Sequence, residues 1–123
     1  MVITAGDTIV RGLSIGQFKR ARIWLRSCNN NVIQGNYIGV DATGTLPRPN
    51  NTGILLFDSS NNLIGGTSAA ARNVVSGNVV HMEIGGNANV VQGNFIGTNA
   101  AGTAAIANGG SGVEIPFRRV QII

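Results

Sequence analysis

The sequence predicts an all-β solenoid, one domain over residues 1–123 built from about four stacked coils. Three observations carry that expectation. A nine-residue segment recurs with only conservative changes: Asn31-Val32-Ile33-Gln34-Gly35-Asn36-Tyr37-Ile38-Gly39 returns as Asn89-Val90-Val91-Gln92-Gly93-Asn94-Phe95-Ile96-Gly97. An apolar-x-apolar triplet recurs four times, as Ile23-Trp24-Leu25, Ile54-Leu55-Leu56, Met82-Glu83-Ile84 and Val113-Glu114-Ile115, at spacings of 31, 28 and 31 residues. Finally, 33 of the 123 residues are Gly or Asn and only 11% are charged, against roughly 25% charged in an ordinary soluble domain. Strands that recur once per ~20–30 residues, each too short to bury a face alone, must stack on their neighbours.

Each element follows from local chemistry. In a strand, residues i and i+2 share a face. The pairs Ile23/Leu25, Ile54/Leu56, Met82/Ile84 and Val113/Ile115 are therefore expected inward, and Trp24, Leu55, Glu83 and Glu114 outward. A 31-residue shift also lays Asn30-Asn31-Val32-Ile33 on Asn61-Asn62-Leu63-Ile64, which marks a shared turn. Asn36 and Asn94 occupy matching turn positions, and Asn tolerates left-handed backbone angles and can hydrogen-bond between stacked coils. Gly35 and Gly93 precede them, and Asn73-Val74-Val75-Ser76-Gly77-Asn78 reads as a shorter cousin of the same segment. The single helical candidate, Ser68 to Arg72, is too short to stand alone.

Composition also excludes. The chain lacks the low hydrophobicity and high charge of disorder. It has no stretch near ~18 apolar residues, so no membrane span is expected. Its one cysteine, Cys28, aligned with Ser59, permits no internal disulfide. The segment Met1 to Asp7 carries no signal-peptide pattern. A net charge of +4 on 14 charged residues points only weakly to an anionic partner.

The NVIQGNYIG and NVVQGNFIG segments, Asn61-Asn62-Leu63-Ile64-Gly65-Gly66-Thr67 and Ala71-Arg72-Asn73-Val74-Val75-Ser76-Gly77-Asn78 resemble right-handed parallel β-helix repeats of the pectate-lyase-like superfamily. They most resemble repeats of large bacterial secreted or cell-surface proteins. The resemblance covers roughly residues 5 to 115 and implies the fold and an extracellular or cell-surface setting. It implies no single activity, since the superfamily includes lyases, hydrolases, adhesins and tailspikes. No catalytic set matches residue by residue. Arg22 and His81 stand where Gly53 and Gly112 stand in the other coils, and the tail Pro116-Phe117-Arg118-Arg119-Val120 breaks the pattern.

Five features are candidates for function. Glu83 and Glu114 would be neighbours about 4.8 Å apart, near the ~5–5.5 Å separation of retaining glycosidases; the alternative is a pair of surface glutamates. Trp24 beside Leu55 offers an aromatic platform for a sugar ring, or a patch covered by a loop or neighbour. Lys19, Arg20, Arg22 and Arg26 crowd the first motif copy, with Arg11 nearby, and suit an acidic polysaccharide or form a solvated basic face; nothing among them reads as a nucleic-acid motif. Two loops, Val40 to Thr52 and Thr98 to Ser111, should project from one side two coils apart. Asp41-Ala42-Thr43-Gly44-Thr45 has oxygen ligands but one carboxylate, so a structural turn is the better reading and no metal or other cofactor is expected. His81 has no companion ligand, and Thr43-Gly44-Thr45 does not recur as an ice-binding array would require.

Both terminal coils read as open strands, which suggests a piece of a longer solenoid or self-association through the ends. The leading functional expectation is a structural, adhesive or carbohydrate-contacting module without catalysis. The competing classes are a polysaccharide lyase or glycoside hydrolase using Glu83 and Glu114, and a filament subunit that stacks end to end.

Overall fold

The computed structural model describes residues 1–116 and 120–123, with the side chains of Ala21, Arg22, His81, Val120 and Gln121 outside the described set. The chain makes repeated passes through three sheets. The first pass is β1 (Val2–Ile3), β2 (Ile9–Arg11) and β3 (Ser14–Ile15). The second is β4 (Ala21–Arg26), β5 (Val32–Gln34) and β6 (Tyr37–Ile38). The third is β7 (Thr52–Phe57), β8 (Leu63–Gly65) and β9 (Val74–Val75), with a 3₁₀ turn at Ala69–Ala71 capped by Ser68. The fourth is β10 (Val80–Ile84), β11 (Asn89–Gln92) and β12 (Phe95–Ile96), followed by β13 (Val113–Glu114) and β14 (Val120–Ile122). Sheet A is ordered β1-β4-β7-β10-β13, sheet B β2-β5-β8-β11-β14 and sheet C β3-β6-β9-β12. The pairings between these strands are parallel. The molecule is thus all-β, with stacked parallel sheets compatible with a β-solenoid.

The register aligns the four triplets: Ile23 pairs with Ile54, Ile54 with Met82, and Met82 with Val113. Ile23, Leu25, Ile54, Leu56, Met82 and Ile84 are buried, as the alternation requires, together with Ile33, Ile38, Ile64, Val75 and Val91 from the other sheets. Ile115 departs from expectation and is exposed, because it lies beyond the short edge strand β13. Sheet A also has a fifth member that the motif search does not find. Val2 pairs with Trp24, and Ile3 with Leu25, at a spacing shorter than the 28–31 residues of the other copies.

Three asparagine ladders run along the corners between sheets. Between sheets A and B, Asn31 Nδ2 donates to Asn62 Oδ1 (3.0 Å) and Asn62 Nδ2 to Asn89 Oδ1 (2.9 Å). Between B and C, Asn36 Nδ2 donates to Asn73 Oδ1 (3.1 Å) and Asn73 Nδ2 to Asn94 Oδ1 (2.9 Å). Between C and A, Asn50 Nδ2 donates to Asn78 Oδ1 (3.1 Å) and Asn78 Nδ2 to Asn108 Oδ1 (3.3 Å). Each Oδ1 also accepts the backbone N–H of the preceding rung, as from Asn36 N to Asn73 Oδ1 at 3.1 Å. A corner turned every few residues leaves backbone groups without sheet partners, and the amides supply those partners in the interior. This corrects the alignment of the 73–78 segment. Val74 pairs with Tyr37 and Phe95 in sheet C, not with Val32 and Val90 in sheet B, so Asn78 belongs to a different corner from Asn36 and Asn94.

The two long loops do not project freely; they fold back over sheet C. Each closes with an antiparallel bridge, Val40 with Pro47 and Thr98 with Ala105. A Cβ at Gly44 would lie 3.2 Å from the Tyr37 ring, and one at Gly102 would lie 2.8 Å from the Phe95 ring. The aromatic of each repeat is therefore roofed by the glycine of its own loop. The loops also touch, with Ala100 N donating to Gly44 O (2.9 Å) and with Pro47 and Ile106 both beside Gly77.

Candidate functional site

The outward face of sheet A gathers most of the candidate residues. Its central column reads Val2, Trp24, Leu55, Glu83 and Glu114 on successive strands. Val2 is 54% exposed, and Trp24 and Leu55 are partly exposed. Beside this column Arg26 pairs with Phe57, whose ring is 60% exposed. The Arg26 guanidinium carbon sits 5.8 Å from the centre of the Trp24 ring, within cation–π range. Trp24 Nε1 is buried and meets no acceptor. An orphaned buried donor costs about 1–3 kcal/mol, so the indole is not there to optimise packing.

The carboxylates are adjacent but not equivalent. Glu83 and Glu114 are register partners on β10 and β13, as the spacing requires. A groove of about 430 Å³ opens next to the column, lined by Leu55, Phe57, Asp58, Glu83, Gly86 and Pro116 among others. It contains Glu83 and Asp58 but neither Glu114 nor any basic residue. Glu114 is exposed at the edge strand. The third carboxylate that sequence reasoning did not assign is Asp58, held at φ 48 just after β7.

The basic cluster is divided among faces. Arg26 lies over Trp24 on sheet A. Lys19 lines a separate depression of about 480 Å³ with Phe18, Pro49 and Val79, at the corner between sheets C and A. Arg20 is exposed in the connection before β4. Arg22 and His81 occupy strand positions opposite Gly53, and their side chains lie outside the described residues. Arg11 faces out from sheet B, where its guanidinium donates to Gln34 Oε1. Gln34, Gln92, Thr67 and Arg11 line a groove of about 350 Å³ there. Its signal in the sequence is the Gln that both copies of the nine-residue repeat keep at one position.

The loops carry no ligand geometry. Asp41 Oδ1 accepts from Thr43 Oγ1 (2.7 Å), Thr45 N (3.2 Å) and Leu46 N (3.3 Å). The Thr43 hydroxyl, ahead of the opposing desolvation and assisted by the backbone donors, holds the Asp41 carboxyl below its ordinary range. Asn99 does the same work in the second loop, accepting from Thr103 N (2.9 Å) and Ala104 N (3.3 Å). Among the described residues no group of three or more His, Cys, Asp or Glu could hold a metal ion. Cys28 is buried, with Sγ donating to Ile3 O (3.3 Å) and its N–H donating to Ser59 Oγ (3.2 Å). No helix is long and apolar enough to cross a membrane.

Comparison of the chain with protein-family models, with curated proteins and with solved structures finds no match. What the molecule shows of its own kinship is architectural: an all-β chain of three stacked parallel sheets, of the kind a β-solenoid would have.

Proposed function

We propose that the chain is a right-handed parallel β-helix module of a bacterial secreted or cell-surface protein, and that it contacts carbohydrate through the outward face of sheet A without catalysing a reaction on it. One observation carries this reading: Val2, Trp24 and Leu55 lie outward on three adjacent strands, with Phe57 beside Leu55. Parallel sheets usually have both faces covered, and an aromatic-rich strip left partly open on a rigid scaffold matches the C–H face of a pyranose. Spacing between strands of about 4.8 Å lets one sugar ring touch Trp24 and Leu55 together. An enzyme built on this face would need its carboxylates and a basic residue in one groove, and the groove beside the strip holds Glu83 and Asp58 alone of the charged residues.

The test uses the chain's single tryptophan, whose emission reports directly on the strip. Titration with neutral, acidic and amine-bearing polysaccharides should give a saturable change in Trp24 emission with at least one class, and no new reducing ends or unsaturated products on prolonged incubation. If every class leaves the emission unchanged and gives no heat of binding, the proposal fails.

A further inference from the structure

We propose that the groove beside Trp24 selects saccharides that carry a free, protonated amine. This rests on the carbohydrate-contacting reading above and names the class of sugar. The groove has an apolar lining from Leu55, Phe57 and Pro116, and Gly85 and Gly86 leave it open by lacking side chains. Its only charged lining groups are Glu83 and Asp58. Glu83 projects from β10 between Leu55 and Glu114 and is partly withdrawn from water. Neither Glu83 nor Asp58 has a side-chain hydrogen bond or ion pair with a described residue.

Two uncompensated carboxylates at the rim of an apolar, aromatic-lined groove set the sign of what enters. An acidic sugar would be repelled. A neutral sugar would gain stacking on Phe57 and Leu55 but leave the carboxylates partly desolvated without a partner, which is unfavourable. A sugar with an ammonium group beside its C–H face satisfies both surfaces at once, through charge-assisted hydrogen bonds to the carboxylates and attraction to the Phe57 ring. A lysine side chain brings the same ammonium on a narrow flexible stem without the broad apolar face. The observations therefore favour an amino sugar over a basic peptide.

The experiment is titration calorimetry of the whole chain with the glucosamine tetramer, its fully N-acetylated counterpart and a pentalysine peptide. The free-amine tetramer should bind about tenfold more tightly than the acetylated one, a size fitting two partly exposed ion pairs, and raised salt should erase the difference. The double variant E83Q/D58N should lose the preference while keeping its affinity for the acetylated tetramer. Asn at position 58 accepts the left-handed backbone found there, and far-UV circular dichroism checks the fold. Should the double variant not fold, the comparison of the two tetramers on the native chain decides alone. Equal affinity for both tetramers, with Trp24 responding, overturns the amine inference and leaves the carbohydrate reading standing. Pentalysine binding as tightly as the free-amine tetramer overturns the saccharide assignment. Absence of binding to every saccharide overturns both readings.

Discussion

Replacing Asn73 by Ala removes the middle rung of the ladder between sheets B and C. Asn73 is fully buried and its side chain makes four hydrogen bonds: Nδ2 to Ile33 O (2.8 Å) and to Asn94 Oδ1 (2.9 Å), and Oδ1 from Asn36 N and Asn36 Nδ2 (both 3.1 Å). Their losses are unequal. Asn36 Nδ2 keeps its bond to Val10 O, and Asn94 Oδ1 keeps the Asn73 backbone N–H. The Asn36 backbone N–H loses the acceptor it has, in a corner where the residue is itself fully buried. One orphaned buried donor costs about 1–3 kcal/mol and each further lost bond about 1 kcal/mol, so the variant should lose about 4 kcal/mol. Asn94→Ala removes the last rung, which is only partly buried and makes three side-chain bonds. Water can replace part of that set, so the loss should be about half as large. Urea unfolding followed by far-UV circular dichroism measures both, with the m-value confirming that the same surface is exposed. A loss at Asn73 no greater than at Asn94, or below about 1 kcal/mol, would refute the assignment of the ladders as buried structural elements.

Four further outcomes are expected. Ala88 has φ 54 in the turn column that Asn30 and Asn61 share at φ 61 and 56, so Ala88→Asn should raise stability by about 0.5–1 kcal/mol in the same urea assay. Trp24→Phe removes the orphaned Nε1 donor; thermal stability should hold or rise, while saccharide affinity measured by calorimetry falls. Gly44→Ala places a Cβ 2.3 Å from Ala100 Cβ at φ +69, and should cost about 1–3 kcal/mol and open the 40–52 loop to limited proteolysis. Because Asp41 titrates below its ordinary value when folded, its contribution is complete above the unfolded pKa and disappears as pH falls through the lowered folded one. Asp41→Asn, which installs the residue that position 99 already has, should abolish that acid sensitivity in the amide exchange of Thr45 and Leu46.

Much of this architecture was legible because period-2 alternation and a repeated segment are properties of the chain itself. The inward triplets, the shared turn at Asn30-Asn31 and Asn61-Asn62, and the neighbouring Glu83 and Glu114 all follow from spacing, and the strand register agrees. The 73–78 segment misled because third-pass residues are inserted before β9, at the 3₁₀ turn, whereas the second and fourth passes place theirs after β6 and β12. Similar spacings of 31 and 28 residues conceal that difference of location. The loops misled because a Gly roofing an aromatic ring is a contact along the chain's return path, and composition marks the Gly only as a turn former. Asp58 was missed because a lone Asp after a strand looks like any other turn residue; its significance comes from Glu83 on the next strand. The division of the basic cluster could not be read either, since Arg11 and Arg26 stand on different sheets.

The roofing of Tyr37 by Gly44 and of Phe95 by Gly102 has a consequence for how such a chain can grow. One pass advances the stack by about 4.8 Å, whereas a layer of folded chain is about twice as thick. A loop on every pass would therefore collide with the next. The third pass carries no long loop at this corner and turns tightly through Gly77, with Pro47 from one loop and Ile106 from the other beside it. The 59-residue interval between matching motifs is thus a steric quantum. Duplication or excision of two passes preserves the interlock, whereas a single pass gained or lost sets loop against loop or leaves an aromatic ring bare. Lengthening by tandem duplication should accordingly proceed in double steps.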